Sequence, residues 1–495
     1  MALSLLEAAA PDLASHLATY LATYLAFLKH LVPLVAAGIA LSCMGDLVMD
    51  ALYGLQWLSS RRQRRGPALT AQQMARKPAD WIAIFVPARE EANVIGKMLR
   101  NTLAELDYPR YRIFVGTYPD DPATQAAVRA VAKTDSRVLH IVADHSKENS
   151  SKAANLNGMY RAMLDVEARG HPPFKAVVLH DAEDMAHPLE LHVFNWHIPA
   201  KALVQLPVQP LPHENAPWWA HTYLEEFAVA HSRDMVVRNW LGASLPSAGV
   251  GCAFSRPALE AAIRQNGGAP FRTLSKTEDY ELGISLGLQG FPALMAHVPA
   301  SPLDPASIAT TSLFPKTFRA AARQRSRWLL GITLGGWRRF GWPHRLADCY
   351  MLLRDRKALP CALLNLAALF LFPQLVVFTL LRQTPALADC PPLIEPGSYT
   401  AHLLWFNMAA LAWHSLRRML ITARIYGWKE GALSIPRSAY GILIHADAAR
   451  LALYDDLREI ITGIPAPWRK TAHHYPDEPS TGRMPPAQGA GAQPC

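Results

Sequence analysis

Cysteine is scarce: six in 495 residues, at Cys43, Cys252, Cys349, Cys361, Cys390 and Cys495, with no CxxC pair. That spacing excludes a disulfide framework and fits a catalytic part facing the cytosol. A basic n-region is missing from the first fifteen residues, and no small-residue cleavage site follows a short apolar stretch, so no signal peptide is read there. Internal repeats are also lacking, which argues against a repeat architecture. The net charge of +9 is not spread as a nucleic-acid surface would need. Many basic residues flank apolar segments, as in Arg61-Arg62-Gln63-Arg64-Arg65, and this pattern fits a membrane surface. What is plentiful is hydrophobic residues, 51% of the chain, enough for a large core and more than one structural unit.

The apolar material falls at the two ends. After a moderately apolar leader, Leu31 to Leu55 reads as a membrane span. Asp46 and Asp50 lie four apart on one face of it, a costly placement unless that face meets protein, water or headgroups. The arginine cluster that follows puts this end in the cytosol and the N-terminus outside. Ala358 to Leu381 holds no charge and would reach about 36 Å as a helix, enough to span. A further span is expected from Ala401 to Ile421, with Arg417 and Arg418 snorkelling at one end. Trp337 to Lys357 and Ser438 to Leu457 read as interfacial helices. The last thirty residues are rich in Pro, Gly and Ala and read as a disordered tail.

Between Trp81 and about Ala300 the pattern is that of a soluble α/β domain. Strand-like runs at Trp81–Val86, Arg112–Gly116, Arg137–Ala143, Lys175–His180 and Ala202–Leu206 alternate with helix-like segments, notably Ala92–Leu106 and Lys152–Ala168. This order predicts a mostly parallel sheet. A longer helix is read from Pro217 to Trp240, ahead of Gly249-Val250-Gly251.

Chemistry-bearing residues follow the strand ends, where open α/β sheets bind ligands. Asp181, Glu183 and Asp184 come directly after the apolar run 176–179. They read either as a solvated helix cap or as hard oxygen ligands for a divalent cation. Pro87, Glu90 and Glu91 close the first strand, and Asp120 and Asp121 the second, where helix capping is the competing reading. Lys152 opens a helix and is placed either for a phosphate or for solvent. Glu278 and Asp279 start another helix. Gln324, Arg327 and Trp328 are spaced to converge on one helix face. A guanidinium suits diphosphate and an indole suits a sugar ring; an Arg/Trp girdle near lipid is the alternative.

Taken in order, these motifs resemble the inverting family 2 glycosyltransferases of the cellulose and hyaluronan synthase type. The resemblance spans about Trp81 to Gly336 and rests on PARxE, the lysine segment NSSKAANLNG, HDAED, TED and QxxRW; VGTYPDDPAT, QLPVQP and WRKTAHHYP extend it. It implies a GT-A-type α/β fold, mostly parallel with flanking helices, plus about three transmembrane helices. It also implies that Asp181 and Glu183 (or Asp184) hold Mg²⁺ or Mn²⁺, and that Pro87, Glu91, Asp121 and Lys152 bind the nucleotide sugar, a UDP-sugar being the expected donor. By the same resemblance Asp279 is the general base, while Glu278, Gln324, Arg327 and Trp328 serve the diphosphate and acceptor. Glu183 stands where the family usually has Asp, which leaves the second ligand open.

The expected organisation is a membrane segment over 1–65, a cytosolic catalytic domain over 78–336, interfacial and transmembrane helices over 337–463, and the tail over 464–495. The expected product is a cell-surface glycan made at the bacterial inner membrane. Expected partners are membrane lipid, a glycan or lipid-linked acceptor, and an outer-membrane or periplasmic export component. Single addition to a lipid-linked acceptor and a non-enzymatic membrane receptor or assembly component remain the alternatives.

Overall fold

The apolar runs assemble into a seven-stranded sheet in a computed structural model of the chain. The structure describes residues 2–63, 68–143, 151–213, 215–304, 306–385, 390–465 and 473–476. In chain order the strands are β1 (Ile82–Pro87), β2 (Tyr111–Thr117), β3 (Val138–Val142), β4 (Ala176–Leu179), β5 (Leu203–Gln205), β6 (Val208–Pro210), β7 (Cys252–Ser255), β8 (Ala293–Met295) and β9 (Thr310–Ser312). The main sheet runs β3-β2-β1-β4-β7-β5-β8, and β6 pairs with β9 beside it. Pairing is parallel from β3 to β4 and between β5 and β8; β7 alone runs antiparallel to both of its neighbours.

The five strands legible in the sequence are all present. β7 escaped notice because its four residues, CAFS, are too few to show a period. Alternate residues feed two cores: Ile82, Ile84, Val86 and Val178 face one side, and Ala83, Phe85, Val177 and Leu179 the other. That is the period of two expected for a sheet covered on both faces. β1, β2 and β4 end together, so the loops after them share one rim.

The chain divides into two units. The first, Met1–Val48 with Leu359–Arg417, is helical. Its N-terminal helix is unbroken over Ala2–Gln63, longer than the span expected at 31–55. Thr19–Arg62 within it and the helix Ala358–Leu381, with hydropathies of 2.0 and 2.2, are long and apolar enough to cross a membrane. The third expected span lies in the helix Tyr399–Tyr426, where Asn407, His414, Arg417 and Arg418 reduce the apolar character. Within this unit Leu28, Val32 and Val35 pack on Leu371.

The second unit comprises Met49–Ala358 and the chain from Arg418 onward. Its last helix runs Trp428–Thr462. Tyr440, Ile444 and Leu451 on it pack against Tyr223, Ala321, Ala322 and Trp328, so one face of the helix meets protein. Buried charges on that interface are paired: Arg325 with Glu226 at 2.7 Å, and Arg437 with Glu225 at 3.0 Å and Glu430 at 2.6 Å. Asp50, flagged as costly in a span, meets Arg233 at 2.6 Å. The interfacial stretch after Trp337 is two helices, Gly336–Phe340 and Leu346–Arg356, separated at Gly341 where φ is +51°. Of the arginine cluster, Arg64 and Arg65 lie outside the described residues.

Candidate active site

The acid motif after β4 is built from the inside outward. His180, fully buried, bonds through Nε2 to Glu190 Oε1 at 2.7 Å and through Nδ1 to Asp184 Oδ2 at 3.3 Å. Burial opposes charge on this imidazole, but Glu190 and Asp184 outweigh it and push its pKa up to about 10. The same Asp184 oxygen accepts the Asp181 N–H at 2.8 Å. Asp184 is thus 1% exposed and engaged with the loop it supports, while Asp181 and Glu183 project from that loop.

Lys152 reaches Asp181 from the start of the helix Lys152–Ala168, whose N-cap Ser151 accepts from Ala154 N–H. Its Nζ lies 2.6 Å from Asp181 Oδ1. Burial raises the Asp181 pKa and Lys152 lowers it; the lysine wins, so the net shift is downward. Glu183 behaves oppositely: burial, reinforced by Asp181, Asp184 and Glu91, pushes its pKa up to about 8. Its Oε2 is buried without a hydrogen-bond partner among the described residues.

The group that answers this crowd of acids comes from the segment read as disordered. His473 Nδ1 lies 2.8 Å from Glu91 Oε1 and 3.2 Å from Glu183 Oε2. Burial works against its charge, yet Glu183, Glu91 and Asp181 prevail and its pKa rises to about 9. Two residues on, Tyr475 packs on the core cluster around β1 and β2. Of the expected tail only 464–465 and 473–476 are described; the rest of 466–495 lies outside the described residues. The one available signal was the stretch WRKTAHHYP, whose two histidines were not weighed as site residues.

The remaining candidates divide. Asp121 caps the helix Pro122–Ala132 by accepting Thr124 N–H at 3.2 Å, and its other oxygen accepts the Glu90 N–H. Both oxygens are committed to joining two loops, which is the capping reading. Pro87 ends β1, and Glu91 N–H donates to Thr124 Oγ1 at 2.9 Å. Glu278 and Asp279 open the helix Glu278–Leu288. Burial, aided by Asp279 and offset by Lys152, raises Glu278 to about 7, and burial likewise raises Asp279. Asp279 sits against Gly249, where a Cβ would fall 2.0 Å from its Oδ2 and where φ is +76°. Only glycine fits there.

On the helix Phe318–Trp328 the sequence motif splits by role. Gln324 accepts from the Tyr223 hydroxyl at 2.7 Å, whereas Arg327 and Trp328 face a cleft. Arg325 anchors the helix through Glu226 and lies 3.7 Å over the Tyr223 ring. That cleft, of about 630 Å³, is also lined by Lys152, Glu278, Asp279, Phe227 and His231. It therefore gathers residues from the lysine, TED and QxxRW segments along one wall.

Residues 78–331 match the family model described as glycosyltransferase like family 2. Bacteriophage adsorption protein B of Escherichia coli strain K12 is 32% identical over 470 residues, covering 91% of this chain and 62% of that protein. Bacteriophage N4 adsorption protein B of Escherichia coli O157:H7 matches with the same figures. The chain thus spans 62% of the length of these curated relatives. Among solved structures, a mannosyltransferase from Pyrobaculum calidifontis in complex with GDP-Man and Mn²⁺ is 19% identical, with a TM-score of 0.46, covering 85% of this chain and 99% of that one.

Proposed function

We propose that this chain, which belongs to glycosyltransferase family 2, is a membrane-bound, inverting enzyme that moves a sugar from a nucleotide-sugar donor to a growing cell-surface glycan. The observation that carries the reading is the single cleft lined by Lys152, Asp279, Arg327 and Trp328, with Lys152 bonded to Asp181. A base, two cations and a sugar-sized aromatic face thereby meet around one space.

The residues present fit a divalent cation: Asp181 and Glu183 are hard oxygen donors, and Glu183 Oε2, buried 3.2 Å from His473 Nδ1, makes no hydrogen bond among the described residues. Asp181 and Glu183 would hold Mg²⁺ or Mn²⁺, with His473 beside them. Among the described residues no three His, Cys, Asp or Glu side chains form a cage, so the diphosphate would complete the shell. When bound, the cation supplies positive charge facing the departing nucleoside diphosphate.

Lys152 and Arg327 add fixed positive charge on the leaving-group side, where negative charge develops. Asp279, with its pKa raised by burial against the pull of Lys152, takes the proton of the acceptor hydroxyl. Trp328 offers its ring to the acceptor sugar. Gln324 positions this helix through Tyr223. Asp184 positions Asp181.

Two apolar helices support attachment to the bacterial inner membrane with the catalytic unit in the cytosol. Phages adsorb at the cell surface, so relatives named for phage adsorption support a surface glycan as product. The test is radiolabel transfer into membranes containing the protein from a panel of nucleotide sugars, UDP-sugars first. Product length then separates a polymerase from single addition to a lipid-linked acceptor. No transfer from any donor, with the protein folded in the membrane, would defeat the reading.

A further inference from the structure

The cleft contains one histidine that the roles above leave unused. His231 lies in a π-helical turn, Ala230–Asp234, that interrupts the long helix expected over 217–240. Such turns insert an extra residue and occur often at functional sites. This one is held from both sides. Arg233 ties it to Asp50, and the His231 carbonyl accepts from His297 Nε2 at 3.0 Å. The residue is 7% exposed and lines the 630 Å³ cleft.

The hydrogen-bond pattern fixes its protonation. Val208 N–H, in the QLPVQP stretch, donates to His231 Nδ1 at 2.9 Å. A backbone N–H only donates, so Nδ1 carries no proton and the neutral ring must carry it on Nε2. Burial, with His297 nearby, lowers the pKa to about 3, so the ring stays neutral at physiological pH. Its ring has no further hydrogen-bond partner among the described residues. Phe227, 5.4 Å away between ring centroids, stands between it and Trp328, whose ring is 6.3 Å from Phe227. Phe227, Met235, Pro246 and Ala248 make the nearby wall apolar.

We infer that His231 reads the acceptor: its Nε2–H donates to a hydroxyl or acetamide carbonyl oxygen of a neutral sugar lying along Trp328 and Phe227. A locked neutral donor matches an uncharged oxygen, which meets it at less desolvation cost than a carboxylate or phosphate would pay. The inference rests on the glycosyl-transfer reading and names its acceptor subsite.

The test uses the detergent-purified full chain and titrates hexose and N-acetylhexosamine tetrasaccharides by calorimetry, with nucleoside diphosphate and Mn²⁺ as the donor-side control. His231→Asn keeps an acceptor for Val208 N–H but is too short to replace Nε2–H. It should weaken tetrasaccharide binding about 10-fold, the scale of one neutral hydrogen bond, and leave nucleoside diphosphate binding unchanged. His231→Gln, which restores an N–H near Nε2, should recover part of the loss. Either variant decides the matter if its gel-filtration profile and melting temperature match the parent. Unchanged tetrasaccharide binding in a folded variant overturns the inference, as does a loss confined to the nucleoside diphosphate. Absence of any nucleotide-sugar turnover by the parent chain would instead remove the reading beneath it.

Discussion

His473 and Glu91 meet at 2.8 Å although 382 residues of chain separate them. The contact brings a residue from beyond the last helix against Glu91 and Glu183. His473→Ala should therefore weaken Mn²⁺-dependent binding of nucleoside diphosphate by roughly 10-fold, the scale seen for groups that support metal ligands. Metal-free binding should change little. Calorimetry with and without Mn²⁺ checks this, and equal affinities for parent and variant would reduce His473 to a bystander.

Asp181 and Asp184 are three residues apart and should fail in different ways. Asp181→Asn should abolish turnover and metal-dependent nucleotide binding while leaving the melting temperature near that of the parent. Asp184→Asn leaves the charged His180 short of a partner in a fully buried position, so it should cost about 3 kcal/mol of stability. Thermal unfolding of the two variants side by side distinguishes a ligand from a support.

Asp279→Asn keeps shape but removes the base. Glycosyl transfer should fall by at least about 10²-fold with donor binding intact. If the residue only caps its helix, Asn serves as well and transfer should be unchanged. Steady-state rates on membranes of matched protein content decide between them.

Gly249→Ala places a methyl group where the Asp279 carboxylate now lies and forces an L side chain into φ +76°. Displacement of the base by even a fraction of an ångström should lower kcat by about 10-fold or more. KM for the donor should hold. A fully active variant would show that Asp279 works from another position.

The membrane proposal has its own check in the native thiols. With one span before the catalytic unit and two after it, Cys390 faces outside and Cys43, Cys252, Cys349 and Cys361 do not. An impermeant maleimide on intact spheroplasts should label Cys390, and a Cys390→Ser chain should stay unlabelled.

Much of the catalytic frame was legible because the sheet's strands carry apolar runs and the motifs follow their ends. The run 176–179 predicted β4, and Lys152–Ala168 was placed to the residue, since Ser151 is a strong N-cap before a helix-forming sequence. The gathering of Lys152, Asp279, Arg327 and Trp328 into one cleft followed from the resemblance; periodicity alone does not bring distant segments together. What stayed hidden depended on tertiary pairing. That Asp121 ties Glu90 to Thr124, beyond capping its own helix, is visible only when both loops are folded. The packing of the helix Trp428–Thr462 against the catalytic unit was hidden because part of its charge pairing is distant in sequence. Arg437 finds Glu225 more than two hundred residues upstream. His473 lies in a segment poor in pattern, and composition says nothing of what a single histidine reaches.

That late contact also bears on how the enzyme comes into being. A chain still on the ribosome has its strands, its acid motif and its TED helix well before residue 473 is made. Closing a loop of that length costs entropy that only finished neighbouring structure can offset. The acids Glu91 and Glu183 are therefore answered last, after all the preceding helices have been made. A chain ending before residue 473 would carry Lys152, Asp279, Arg327 and Trp328 around the cleft but leave Glu91 and Glu183 without the imidazole that answers them.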